Sequence, residues 1–534
     1  MPASRILMAA PPRPLERVML RLLGGADALC NRFYGSRANP LYQSGTIVIA
    51  LLLVLTISGL WLILFYRVGS PYASVAAISA NPWMGGWVRG MHRYASGAAV
   101  VFTVVHMIRM FAQGRSWGPR ALAWTSGILA LVVLIACGLT GYVMVWDTFG
   151  QLLAREGARM LDSLPILSEP VGRAFTGEEE PSAAFFFVNL FAHIAIPLGL
   201  ALVLWVHVSR VARPALLPPR RLTWSIVGLL LLAAVVRPVA MAPEASAFTL
   251  PELVPVDLFF AFWLPITRPL PGGLALMLLV GATAALASVP LLTRRRGPAA
   301  PAPSVVDEDI CTGCRQCSLD CPYDAITMIA RTPGSRSAAR SAEVARVNPD
   351  LCVSCGICAG SCAPMGVGPP GRTGRDQLAR VRTFIQEKHV AAGKPVVVCC
   401  DRGARGWSAE LESAGALVYE VDCAGNAHSS VLELLVRSGA AGVLVIACPP
   451  RDCWNREGPI WLEQRVYHER EAELQERVDR RRVRIAHANA SEAREALDAL
   501  HRFMADTSAL DQASAETAAE IHAICEPVPV EDEG

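Results

Sequence analysis

Charge is scarce in this chain, and that scarcity narrows its function. Only 18% of the 534 residues are charged, and the formal net charge is +3. That is too little to build a nucleic-acid surface. A secretory signal is also missing. The segment "PPRPLERVMLRLLGGADALCNRF" is basic and amphipathic, with no long apolar core ahead of a small-residue cleavage site. It is expected to lie along a membrane surface. No Gly-x-Gly-x-x-Gly run follows a strand-like segment, and "GVGPPGRTG" reads as a loop, so any flavin or nicotinamide is expected on another subunit.

Apolar residues are plentiful, at 53% of the chain, and the mean hydropathy is positive. Six stretches are long and apolar enough to span a bilayer: 45–66, 86–112, 122–144, 186–209, 222–241 and 272–292. Arginine sets their orientation. Arg115, Arg120, Arg210, Arg213, Arg220, Arg221, Arg294, Arg295 and Arg296 follow the second, fourth and sixth spans. Glu178, Glu179, Glu180, Glu244, Glu252 and Asp257 occupy the opposite loops. The positive-inside rule then puts both termini in the cytoplasm, as for a multi-pass protein of the cell inner membrane. The chain divides into a helical membrane domain (1–293), a stiff Pro/Ala linker (294–304), a cysteine-rich module (305–368), an α/β domain (376–505) and an acidic tail expected to be disordered (506–534).

Four of the ten histidines fall in the spans: His92 and His106 in the second, His193 and His207 in the fourth. Each pair is fourteen residues apart. Fourteen helical steps return a side chain to within roughly 40° of its starting face and climb about 21 Å. Two such helices side by side would pair His92 with His193 and His106 with His207, giving two bis-histidine sites stacked across the bilayer. That arrangement points to two b-type haems. A lone membrane histidine more often bonds a neighbouring helix; two matched pairs make that reading weak. Gly45 and Gly59 in the first span, and Gly127 and Gly141 in the third, repeat the fourteen-residue interval. Missing side chains there would let a flat macrocycle approach. Arg89 and Arg109 flank the histidines, where propionates need a cation.

These residues, with "GYVMVWD" (141–147), resemble cytochrome b of the respiratory and photosynthetic cytochrome bc complexes over roughly residues 1–210. The resemblance implies quinone or quinol as reactant. Val145 stands where that family has a proline, and its Pro-Glu-Trp-Tyr motif is absent. The nearest acid is Asp257 in "PVDLFF" (255–260), the candidate base of an outer quinone site. An inner site near His207 needs only a haem edge and proton access.

Thirteen of the sixteen cysteines lie between Cys311 and Cys453, and cytoplasmic cysteine clusters favour metals over disulfides. "CTGCRQCSLDCP" and "CVSCGICAGSCAP" both follow C-x2-C-x2-C-x3-C. Three close thiolates hold one corner of a 4Fe-4S cubane, while the fourth reaches the other cluster. The expected sets are Cys311, Cys314, Cys317 and Cys362, and Cys352, Cys355, Cys358 and Cys321. Zinc sites usually come as paired C-x2-C motifs with longer gaps. The module resembles the bacterial two-cluster ferredoxins, with a longer insert at about 330–346.

Beyond it, "KPVVVCC", "ALVYEVDC" and "GVLVIACPPRDC" are strand-like runs ending in cysteine, separated by helical segments. Alternation of this kind implies a parallel sheet, whose sites form at the carboxyl ends of strands. Cys400, Cys423 and Cys448 sit at such ends and Cys453 in the next loop. Cys399 is adjacent and could substitute; small buried thiols are the plainer alternative. The region (about 394–500) resembles the iron–sulfur delta subunit of methyl-viologen-reducing hydrogenases. That likeness implies a 2Fe-2S cluster and a soluble partner, a heterodisulfide-reductase-like flavoprotein. Gly403 and Pro449 depart from the family pattern.

The whole reads as a multi-domain membrane electron-transfer protein linking the quinone pool to that partner. Two alternatives stay open: a wiring subunit among other membrane redox subunits, and a quinol-oxidising enzyme of the bc type.

Overall fold

The computed structural model describes residues 13–525 except Met84 and residues 118–119, 166–169, 176–180, 210–214, 247–256, 294–301, 333–340, 391–392, 402–406, 469 and 491; side chains are described as far as residue 512. Several residues used above for orientation (Glu178, Glu179, Glu180, Arg210, Arg213, Glu252, Arg294, Arg295, Arg296), together with Gly403 and Pro255, lie outside the described residues. The chain forms two compact units. One comprises Pro12–Leu20 and Ala38–Gly297, the other Arg21–Arg37 and Pro298–Gly534.

The first unit is helical. After α1 (Pro14–Ala38), which starts on a proline and so wastes no backbone donor, come α2 (Ser44–Ile63), α3 (Pro71–Ala80), α4 (Gly86–Ala112), α5 (Ala121–Val145), α6 (Thr148–Leu161), α7 (Ala183–Ser209), α8 (Arg220–Val236), α9 (Leu264–Thr267), α10 (Gly272–Ala287) and α11 (Val289–Thr293). Among the described residues five helical stretches are long and apolar enough to cross a membrane: α2, α4, α5, α7, and α10 with α11. The fifth sequence-predicted span, 222–241, is a shorter helix than expected. α8 has 17 residues and stops at Val236, because Arg237 leaves helical geometry and Pro238 follows. At 1.5 Å per residue it reaches about 26 Å, short of a bilayer core of about 30 Å. α2 packs along α4, α5 along α7, and α8 against α4. Ile47, Leu51, Ala95, Ala99, Leu134 and Leu200 form their common core.

The second unit begins with two small antiparallel pairs, β1 (Val305–Val306) with β4 (Val367–Gly368) and β2 (Ile326–Ala330) with β3 (Glu343–Val347). Single helical turns α12 (Gln316–Leu319) and α13 (Ile357–Gly360) lie between the strands. Next comes α14 (Gly374–Lys388), closed at its start by a capping box between Thr373 and Asp376. A four-stranded parallel sheet then forms in the order β6 (Leu417–Val421), β5 (Val396–Cys400), β7 (Val443–Ala447), β8 (Val483–His487). It is flanked by α15 (Ser408–Ser413), α16 (Ser429–Arg437), α17 (Gly458–Tyr467) and α18 (Ala493–Cys525). The central strands are apolar throughout and buried on both faces, as a helix-covered parallel sheet requires.

Two further expectations differ from what is observed. Residues 21–37 of α1 group with this second unit. Arg37 pairs with Glu463 at 2.8 Å, and Asp27 accepts from Asn489 at 3.4 Å. Leu22, Leu29 and Phe33, at helical spacing, stay exposed. Residues 506–525, assigned by composition to a disordered tail, continue α18. This stretch is rich in alanine, the best helix former, and Asp506 and Asp511 pair with Arg484 and Arg482 on the sheet side. Residues 526–534 lie outside the described residues.

Candidate redox-cofactor sites

The fourteen-residue spacing does bring imidazoles together. The rings of His92 on α4 and His193 on α7 lie with centroids 6.4 Å apart and planes tilted by 57°. That separation leaves room for a metal that both imidazoles would hold. His106 and His207 are neighbours at the other level. α4 and α7 make their main contacts with α2, α8 and α5, not with each other. This separation suits a flat group between them.

Each histidine is held from behind by a hydroxyl. Nδ1 lies 2.9 Å from Ser58 Oγ in His92, 3.3 Å from Ser44 Oγ in His106, 3.0 Å from Thr140 Oγ1 in His193 and 3.0 Å from Ser126 Oγ in His207. Ser58, Ser126 and Thr140 donate their own protons back to Val54 O, Ala123 O and Cys137 O. Their oxygens are therefore left to accept from the ring. In His92, His193 and His207 this favours the imidazole proton on Nδ1 and leaves the Nε2 lone pair for a metal.

All four hydroxyl residues immediately precede the four glycines. A side chain added at Gly45, Gly59, Gly127 or Gly141 would come within 3.0, 3.3, 3.3 or 3.0 Å of Cε1 of His106, His92, His207 or His193. What each glycine admits at closest range is thus the imidazole itself. The pair Ser-Gly or Thr-Gly, repeated four times, was the sequence signal for these hydroxyls. Periodicity of histidines alone missed it.

The arginines have other immediate partners. Arg89 donates to Val239 O at 2.7 Å, and buried Arg109 lies over the Tyr42 ring at 4.5 Å. Asp257 is not an open base. Tyr142 donates to its Oδ2, Arg93 pairs with the same oxygen at 3.4 Å, and Oδ1 accepts from the backbones of Phe259 and Phe260. In "GYVMVWD", α5 ends at Val145, and Trp146 turns left-handed to pack on Phe186. Asp147 caps α6 by accepting from Gly150 N.

In the second unit a cavity is lined by Cys311, Cys314, Cys317 and Cys362, the first three from one motif and the last from the other. Backbone N–H groups point at the crossing cysteines. Ala325 N lies 3.3 Å from Cys321 Sγ and Gly366 N 3.3 Å from Cys362 Sγ. Ser304 N and Oγ reach Cys352 and Cys358 at 3.3 and 3.4 Å. Burial pushes the Cys358 thiol up to about 12 and raises Cys317, Cys321, Cys355 and Cys362 as well. Thiolates there need a compensating cation such as a metal. Among the described residues, no three such side chains close around a single-ion point.

In the sheet, β5 and β7 are the neighbours at which strand order reverses, where open α/β sheets place their sites. Cys400 Sγ and Cys448 Sγ at their carboxyl ends lie 3.8 Å apart. Cys423 contacts Cys453, and this contact raises the Cys423 thiol ahead of burial; contacts with Cys400 and Cys453 do the same for Cys448. A side chain at Gly458 would stand 2.9 Å from Cys423 Sγ and 3.5 Å from Cys453 Sγ. This close approach keeps the space beside the thiols clear. Strand alternation turns Cys399 the other way, into the core with Trp407 and Leu411, so it does not substitute for Cys400.

Comparison with known proteins matches residues 30–215 to the family cytochrome b/b6/petB, 310–366 to a 4Fe-4S dicluster domain and 408–511 to the delta subunit of methyl-viologen-reducing hydrogenase. One chain fuses all three domains. Cytochrome b6 of Heterocapsa triquetra is 26% identical over 204 residues, covering 36% of this chain and 92% of that protein. A solved structure described as hyperthermophilic respiratory Complex III aligns with TM-score 0.37 and 15% identity, covering 47% of this chain and 75% of that one. The chain is a multi-pass membrane protein of electron transport with haem and iron–sulfur domains. Asp257 and Cys400 fall outside the matched segments.

Proposed function

We propose that the protein carries electrons between the quinone pool and a soluble flavoprotein of the heterodisulfide-reductase kind. The path would use two b haems, two 4Fe-4S clusters and a 2Fe-2S cluster, with the iron–sulfur domains in the cytoplasm and the helices in the inner membrane. The observation that carries this reading is the fourfold pattern of histidine, hydroxyl and glycine on α2, α4, α5 and α7, joined in one chain to twelve paired or clustered cysteines. Bound haem and iron–sulfur groups supply one-electron carriage, and the protein side chains hold and tune them. His92, His193, His106 and His207 present Nε2. The cysteines present thiolates: Cys311, Cys314, Cys317 and Cys362 to one cubane, Cys352, Cys355, Cys358 and Cys321 to the other, and Cys400, Cys423, Cys448 and Cys453 to the 2Fe-2S site. Arg93, Tyr142 and backbone donors tie up Asp257. That favours quinone reaction at the inner level, near His207, over an outer site that uses Asp257 as base.

Membranes carrying the wild type and Asp257→Asn test the assignment through quinol-linked haem reduction. Unchanged rates with both haems present support the inner site. A many-fold loss moves the reaction to Asp257. No quinol-linked reduction in the wild type would leave a wiring subunit. Co-purification of a flavoprotein after mild solubilisation tests the partner.

A further inference from the structure

Arg465, on α17, is 1% exposed, and its surroundings compensate its charge only in part. Nη1 donates to Ser361 Oγ at 2.9 Å; Nη2 donates to Gly425 O at 2.7 Å and Ala427 O at 3.4 Å. All three acceptors are neutral, and its buried Nε has no partner. The buried carboxylate of Asp320 acts on it electrostatically, but it is shared with Arg470, which pairs with Asp320 at 2.6 Å. A buried cation that shares its one carboxylate with a second arginine is compensated only in part, and that is costly. The protein nonetheless builds a place for this one. A side chain at Gly360 would meet Arg465 Nη2 at 2.7 Å and Gly425 O at 2.8 Å, so only glycine leaves room.

The segments around Arg465 all carry cysteines. Ser361 precedes Cys362, and Gly425 and Ala427 follow Cys423. Arg465 also acts electrostatically on Cys423, and burial pulls the guanidinium down to about 10. The loop after Cys423 is fixed to the ferredoxin module: Asn426 Nδ2 donates to Gly356 O at 2.7 Å, beside Cys355. The loop after Cys453 is fixed likewise, through Arg456 Nη1 to Pro322 O at 2.6 Å, beside Cys321. The joint between the two iron–sulfur domains therefore runs past Arg465.

We infer that Arg465 is the fixed counter-charge of the thiolate-held cluster at Cys400, Cys423, Cys448 and Cys453, holding its reduction potential up so that it accepts electrons across this joint. It is a positioning residue, and the inference rests on the cluster assignment proposed above. Reduction adds negative charge, which a nearby fixed cation stabilises.

The test is an EPR-monitored redox titration of the full chain with Arg465→Met, Arg465→Gln and Arg465→Lys. Mediators replace both quinone and flavoprotein, so the outcome is independent of the wider functional reading. Iron analysis of the wild type separately shows whether the cluster exists. The neutral variants are expected to shift the 2Fe-2S signal to lower potential, with the lysine variant close to wild type. Wild-type potential in a neutral variant overturns the proposal. So does an equal shift in all three. If methionine prevents assembly, glutamine keeps a hydrogen-bonding side chain without charge. Loss of the cluster from the lysine variant as well would make Arg465 a geometric clamp and overturn it too.

Discussion

Ser126 Oγ lies 3.0 Å from Nδ1 of His207, one residue before the glycine that admits the same ring. The hydroxyl fixes the tautomer and gives the ring N–H an acceptor, which makes Nε2 a stronger donor. Ser126→Ala should loosen haem retention at His106 and His207, by about 10- to 100-fold as for other such supporting groups. A haem held by His92 and His193 should be unaffected. Haem release to apomyoglobin, followed optically, checks this.

His92→Leu and His207→Leu should each remove one of two low-spin haems. A pyridine haemochrome assay giving the same haem content in wild type and variants would refute the paired assignment.

Cys321→Ser should damage the cluster held mainly by Cys352, Cys355 and Cys358, sparing the one in the cavity of Cys311, Cys314, Cys317 and Cys362. EPR showing the reverse loss would rule out crossed ligation.

Gly458→Val should deplete the C-terminal cluster, because its first carbon already stands 2.9 Å from Cys423 Sγ. Iron content should fall by one cluster while both haems remain. Full iron in a folded variant would show that the thiols do not converge on a cluster there.

Arg37→Ala tests the link between α1 and Glu463. His487, then Arg37, holds the Glu463 carboxyl below its usual range, so its stabilisation is complete above about pH 4.3 and fades as pH falls through the folded value. The variant should lose less stability on acidification than the wild type. Thermal melts at pH 3 and pH 7 compare them.

Histidine and cysteine spacing was readable because helical periodicity and strand ends convert directly into position. The hydroxyls were not. Serine and threonine in apolar helices commonly bond their own backbone, and Ser58 does so while also meeting His92. Arg465 was illegible for another reason: Ser361, Gly425 and Ala427 approach it only after the fold brings distant segments together. The length of α8 was overread because apolar residues continue past Arg237, where the helix has already ended.

α4 and α7 carry neighbouring histidines yet lean on other helices. If haem joins them, the bundle cannot be completed by polypeptide alone, and native-state stability includes the free energy of haem binding.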